Sequence, residues 1–225
     1  MLTLSGLGVY HDASGTPQRA PGSLRRRDHE VRAAREGEVR ALVEAWHYAH
    51  GMGRMTCGFT LHARACGSVL AVAVFNPPSL GAAKLMARGH CTHQEVIGLT
   101  RLSFHPEAPK NAGSFLLARA VAALPDRWAV VSTYADEAQG VVGVTYQAAN
   151  LNYLGRTVPR AVWTREGVQV SVQRGGRTLT RAEMEAEGCQ LAARAAMHRY
   201  RLVRGRQEAE RNPERYPKPL PRLLR

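Results

Sequence analysis

The chain has 225 residues, 44% of them hydrophobic, with 31 Lys+Arg against 18 Asp+Glu and a formal charge of +13. That length and apolar content fit one globular domain with extensions, and no apolar run approaches the ~18–20 residues that a membrane span needs. Cys57, Cys66, Cys91 and Cys189 form no CxxC pair, which argues against a zinc knuckle or a disulfide framework. With no basic-then-apolar leader at the N-terminus, the expected setting is cytoplasmic.

The charge is almost all arginine, since Lys84, Lys110 and Lys218 are the three lysines. Guanidinium groups suit bidentate phosphate contacts, and such an excess points to a polyanionic partner, nucleic acid first. Residues 1–40 carry 7 basic and 5 acidic side chains, residues 41–193 carry 14 and 10, and residues 194–225 carry 10 and 3. The last segment therefore reads as a basic arm.

In chain order, residues 1–11 suggest a short strand, and 12–30 a loop or arm containing Pro17, Pro21 and the run Arg25-Arg26-Arg27. From Glu36 the spacing of Val39, Leu42, Val43 and Trp46 predicts a helix ending near His47-Tyr48, before Gly51 and Gly53. Strands are expected over 54–63 and 67–76, hairpin-linked, with Pro77-Pro78 ending the second; a short helix then runs through Leu85. The segment 95–105 is apolar on both faces and predicts a central strand. A loop at 106–110 and a helix over 111–124 follow, then a buried strand over 128–136 and a helix over 138–150. A hairpin is expected at 160–164 and 168–173, and a helix over 180–203. The order is mixed α/β without repeats, and 95–150 has the strand–loop–helix–strand–helix order of the acyl-coenzyme-binding half of an N-acetyltransferase (GNAT) fold.

Several residues could carry chemistry. The loop Pro106–Leu117 leads into a helix N-terminus whose backbone N–H groups can cradle phosphate, with Lys110, Asn111, Gly113 and Ser114 as candidates. A helix cap at Asn111 or Ser114 is the plainer explanation. Arg101 lies in an apolar strand, where a guanidinium needs a carboxylate, a phosphate or an opening; an ion pair with Asp136 is one expectation. Asp136 ends a strand, the place where ligands gather in open α/β sheets, although an N-cap role would also account for it. On the predicted helix after it, Gln139, Gly143, Tyr146 and Asn150 share an uncharged polar face, suited to recognising a base or amide. His47 and His50 could take part in a metal site, but no spacing marks a third ligand.

The runs LTRLSFHPEAPKNAGSFLLARA and VVSTYADEAQGVVGVTYQAANLNYLGRT, with WHYAHG before them, resemble the Mom family of phage DNA-modification proteins over about residues 40–160. The resemblance implies a GNAT-like mixed, mostly antiparallel sheet flanked by helices, with basic N- and C-terminal extensions. It divides the chain into an N-terminal strand and basic arm (1–35), a catalytic domain (36–190) and a basic C-terminal helix and tail (191–225). The implied activity converts adenine in DNA to a methylcarbamoyl derivative on the exocyclic amine, blocking restriction enzymes. Tyr48, Arg101, Asp136 and Tyr146 are the implied catalytic group. Gln139, Gln147, Asn150 and Tyr153 are assigned to substrate, and Lys110, Asn111, Gly113 and Ser114 to the donor. Acetyl-coenzyme A or a related acyl donor and iron are the cofactors it brings in, with His47 as the metal candidate.

The expected partner is double-stranded DNA, gripped by Arg25, Arg26, Arg27, Arg199, Arg201, Arg204 and Arg206, in the host cytoplasm if phage-encoded. Oligomeric state, a homodimer included, stays open. The chain departs from the family pattern at Gly98, Val141 and Leu151. Two other readings stand beside this one: an N-acetyltransferase acting on a protein or small-molecule amine, and a non-catalytic DNA-binding relative.

Overall fold

A computed structural model describes residues 10–11, 17–18, 22–47, 51–170, 172–174 and 176–205. Its centre is a sheet of β1 (His29–Ala33), β2 (Cys57–Ala63), β3 (Val69–Asn76), β4 (Val96–Phe104), β5 (Val130–Asp136), β6 (Asn152–Arg156) and β9 (Met197–Val203). The spatial order is β1-β2-β3-β4-β5-β9-β6, and every neighbouring pair is antiparallel except β4 and β5. The expected mixed, mostly antiparallel sheet is thus present. A smaller sheet joins β7 (Arg160–Arg165) to β8 (Gln190–Arg194) and to the two residues Val168–Gln169.

Helices cover both faces because the central strands are apolar on both. α3 (Ala112–Ala123) buries Leu116, Leu117 and Ala120 against Leu61, Phe75 and Ile97. On the opposite face α1 (Glu36–Trp46) packs Val39 and Val43 onto Val72 and Val74. Beside it α2 (Leu80–Ala87) sets Ala83 and Met86 on Val96, Val130 and Val203. Each fully buried Leu, Ile or Phe stabilises by about 1.5–3 kcal/mol, so this double-sided burial fixes the sheet.

Three local expectations are corrected. Residues 29–33 form edge strand β1 instead of continuing the arm, because the outer edge of β2 offers backbone partners through Ala63 to Phe59. The helix expected over 138–150 is broken: Glu137–Gln139 is a single 3-10 turn, and α4 spans only Val144–Ala148. Gly140 and Gly143 stand in the left-handed region, at φ 66° and 80°, where an α-helix cannot run. Strand β6 follows at once. Finally, the helix expected over 180–203 is confined to α5 (Arg181–Ala186), closed by a Thr180–Glu183 capping box. Residues 190–194 and 197–203 are strands, so the sheet continues past residue 190 and β9 lies between β5 and β6.

Gly143 ties this altered segment to the sheet. A Cβ there would lie 2.5 Å from Tyr200 Cε2, on a backbone already at φ 80°. Gly143→Ala is expected to lower unfolding free energy by about 2–4 kcal/mol through strain and overlap. Gly140→Ala, with open space around it, should lose about 1–2 kcal/mol; urea unfolding of both variants checks the difference.

Candidate active site

Parallel pairing of β4 and β5 covers Val96↔Val130, Ile97↔Val131 and Gly98↔Ser132, and then ends. Beyond it the Thr133 hydroxyl donates to the Leu99 carbonyl at 3.1 Å, a side chain replacing a ladder bond. On the other side of β4, a bulge between Val74 and Phe75 leaves Thr100 without a cross-strand partner and places Arg101 opposite Val74. Thr100 is held by its hydroxyl bond to the Val74 carbonyl (3.2 Å) and by the Asn76 amide (3.2 Å). Two neighbouring strands therefore separate at the middle of the sheet, which opens their carboxyl ends.

Arg101 is half-buried on the α1 side of this opening, the side on which Val74 meets α1. Its Nε donates to the Gly51 carbonyl at 2.7 Å and Nη1 to the Thr100 carbonyl at 2.8 Å. The expected ion pair with Asp136 is not formed; backbone carbonyls orient the guanidinium instead. Asp136 ends β5 on the same face as Tyr134, which packs against the α2 cluster. One carboxylate oxygen accepts the Ala138 N–H at 3.0 Å, so Asp136 does cap the following turn. Arg101 and Asp136 thus flank the divergence on one side of the sheet.

Tyr146 lies on the other side. It is half-buried, packs against the α3-side core, and meets Tyr200 edge-on at 5.4 Å. The polar residues after Asp136 do not form one stripe. Gln139 and Asn150 are exposed, Asn150 at φ 64° in the turn after α4. Gln147 Nε2 donates to the Tyr200 hydroxyl at 3.0 Å, and Tyr153 is only 5% exposed, its hydroxyl 3.1 Å from His198 Nδ1. Tyr48 lies outside the described residues.

Sequence inspection missed His198, Glu137 and Arg156. His198 Nε2 lies 3.1 Å from Glu137 Oε1, and Arg156 Nη2 donates to Glu137 Oε2 at 2.7 Å. The alternation in Met197-His198-Arg199-Tyr200-Arg201-Leu202-Val203 was the available signal: His198, Tyr200 and Leu202 belong to one face of a strand.

At the start of α3, Asn111 adopts φ 71° and makes no side-chain cap, while the Ser114 hydroxyl donates back to the Asn111 carbonyl at 3.1 Å. The first-turn N–H groups lack intrahelical acceptors by helix geometry, as a phosphate cradle requires. Gly113 serves packing: a Cβ there would be 2.6 Å from Thr145 Cγ2 and 2.8 Å from Phe104 Cζ. Lys110 is exposed, and its carbonyl accepts the Leu24 N–H at 2.9 Å, which pins the N-terminal arm to this loop.

The arginines divide into two groups. Arg25, Arg26 and Arg27 are exposed on the turn before β1. Three from the expected tail instead donate within the fold: Arg199 to the Leu154 carbonyl, Arg201 to that of Met86, and Arg204 to those of Leu124, Pro125 and Trp128. Arg199 and Arg201 lie in strand β9 and Arg204 in the turn after it; with Arg201 at 9% exposure, this differs from the solvated phosphate-gripping tail expected of them. Arg206 lies outside the described residues. A groove of about 760 Å³ lies at the β1 edge, where Arg26, Arg64 and Arg119 converge, but Arg64 is already paired with Glu30 at 3.0 Å. His47 is 8% exposed at the end of α1, and among the described residues no three His, Cys, Asp or Glu side chains cluster as a metal site. Nor, among them, is any helix long and apolar enough to cross a membrane.

The chain belongs to the Mom protein family, matching it over residues 28–221. No curated protein matches it by sequence. Among solved structures it is similar to a Bacillus subtilis acetyltransferase in complex with CoA, with 9% identity over 78% of this chain and 98% of that one, TM-score 0.45. An Escherichia coli ribosomal-protein alanine N-acetyltransferase gives 12%, 78%, 93% and 0.45. A Vibrio cholerae spermidine N-acetyltransferase gives 10%, 79%, 94% and 0.44.

Burial lowers the pKa of His198, with the Glu137 charge opposing and Arg156 adding to the effect. The Arg156 hydrogen bond holds the Glu137 carboxyl below its usual range. A His with a depressed native pKa binds fewer protons folded than unfolded. Its contribution is therefore complete above the unfolded value near ~6.5 and is lost as pH falls through the native value. Glu137 loses its contribution the same way at lower pH. Thermal unfolding between pH 8 and 5 should show stability falling below about pH 6.5, with a shallower fall in His198→Phe than in the wild type.

Proposed function

We propose that this chain is a DNA adenine-modifying transferase that installs a methylcarbamoyl group on the exocyclic amine and so shields DNA from restriction enzymes. The Mom family match over residues 28–221 carries the reading. The strand divergence between Arg101 and Asp136 supports it, because it opens the carboxyl ends of two central strands, where α/β proteins bind ligands. The charge of +13 and the exposed Arg25–Arg27 turn suit a polyanionic substrate.

Duplex adenine is stacked, so the enzyme must extrude it; Tyr48 is the aromatic proposed to stack on the base, since Tyr146 packs on the opposite face of the sheet. Asp136 is the proton acceptor for the amine: its backbone is fixed by β5 and its carboxylate is aimed by the Ala138 cap. Arg101, oriented by Gly51 and Thr100, holds the anionic or carbonyl end of the donor. An acyl-coenzyme donor fits the divergence together with the first turn of α3, where Asn111, Gly113 and Ser114 would offer backbone N–H groups to its phosphates. Such a donor would supply the acyl carbons with the coenzyme thiol as leaving group; direct transfer to the amine stops at an amide, so the nitrogen of the methylcarbamoyl group would have to come from a second, nitrogen-bearing co-substrate. Among the described residues, no set of side chains around His47 suits iron.

The test is mass spectrometry of nucleosides digested from plasmid DNA of cells expressing the protein. Wild type should yield an adenosine with the methylcarbamoyl mass increment. Asp136→Asn keeps an oxygen for the cap but loses the base, and should reduce the yield at least ~100-fold. Unmodified adenosine from soluble wild-type protein would sink the reading, and an acetylated protein or polyamine in its place would identify an ordinary N-acetyltransferase.

A further inference from the structure

We propose that His198 is a positioning residue for the Asp136 site, acting through the strap Glu137–Gly143, and that Tyr153, Glu137 and Arg156 set its protonation state for that role. This rests on the proposed function only in taking Asp136 as the reacting group. The strap connects Asp136 to α4, which carries Tyr146. Its own backbone bonds are few: Gly140 N–H to Glu137 at 2.9 Å and Val141 N–H to Asp136 at 3.4 Å. With two left-handed glycines in seven residues, it has little intrinsic preference for one conformation.

Strand β9 supplies what the strap lacks. The Glu137 N–H donates to the Ala196 carbonyl at 3.3 Å. His198 Nε2 and Arg156 hold the Glu137 carboxylate from two directions. Farther along, the Tyr200 hydroxyl donates to the Val142 carbonyl, and Gly143 lies directly on the Tyr200 ring. Because Asp136 accepts from Ala138 inside the same turn, displacement of Glu137 displaces the Asp136 carboxylate too.

The neutral ring protonated on Nε2 satisfies both of its nitrogens. With the proton on Nε2, His198 donates to Glu137, and its bare Nδ1 accepts from the Tyr153 hydroxyl. A second proton on Nδ1 would require the Tyr153 hydroxyl to turn and accept instead. The titratable and charged groups facing His198 are Tyr153 and Arg156 from β6 and Glu137 from the strap. Its β5 partner is Ala135, and Arg199 points to the opposite sheet face.

The test combines hydrogen exchange with turnover in the full-length protein. His198→Phe removes the Glu137 contact; His198→Gln keeps an amide donor for it. In His198→Phe the peptide covering 137–147 should exchange at least ~10-fold faster, with β2 and β3 peptides unchanged. Adenine modification should fall at least ~10-fold in kcat with KM for DNA unchanged. His198→Gln should restore both to within about threefold. Unchanged exchange in the strap, or a loosened strap with normal turnover, overturns the proposal. If His198→Phe does not fold, Tyr153→Phe, which removes only the hydroxyl donor to Nδ1, is held to the same criteria. Should wild-type protein modify no adenine, the function fails on its own, while the exchange result still decides whether His198 holds the strap.

Discussion

The parting of β4 from β5 after three paired residues is the constraint on which the rest of the structure depends. A parallel pair that separates leaves backbone groups in need of partners. The Thr133 hydroxyl, the bulge at Thr100 and the carbonyls that hold Arg101 answer that need locally. Sheet on both sides keeps the separated strands from collapsing together. On one side lies the tightly apolar β2–β3 pair between α1 and α3; on the other, β9 and β6 clamp β5. The candidate site follows from this geometry, with Arg101 on one diverging strand and Asp136 at the end of the other.

Strand β9 has two roles. Its α2-side face carries Arg199 and Arg201, whose donors serve the Leu154 and Met86 carbonyls. Its other face carries His198 and Tyr200, which hold the segment after Asp136. The polar mixture around Asp136–Tyr153 is therefore partly site and partly fastening: Gln147 and Tyr153 are used inside the fold, while Gln139 and Asn150 face solvent. The same economy holds at α3, where Gly113 admits Phe104 and Thr145 while the helix start remains a place for an anion.

Much of the centre was legible in the sequence because its signals are local and strong. Val96–Phe104 and Val130–Asp136 are buried strands, and Ala112–Ala123 is rich in Ala and Leu, so pattern and propensity agree. Asp136 was placed correctly at a strand end. What escaped depends on distant partners. Residues 190–203 are rich in Ala and Arg, good helix formers, yet they extend because β5 and β7 present open edges. Gly140 and Gly143 break the expected helix through backbone signs that an apolar pattern does not encode. The contacts of His198 with Tyr153 and Glu137 join residues 45 and 61 positions apart in sequence, and no local motif announces such a pair.

The most direct test of the account is an amide NMR titration of the isotopically labelled protein with coenzyme A. The largest shifts are expected at Leu99–Phe104 and Thr133–Asp136, which bound the divergence, and at the first turn of α3. No shifts at saturating ligand, or shifts confined to the arginine-lined groove beside β1, would contradict it: the opening between β4 and β5 would then not be the donor site.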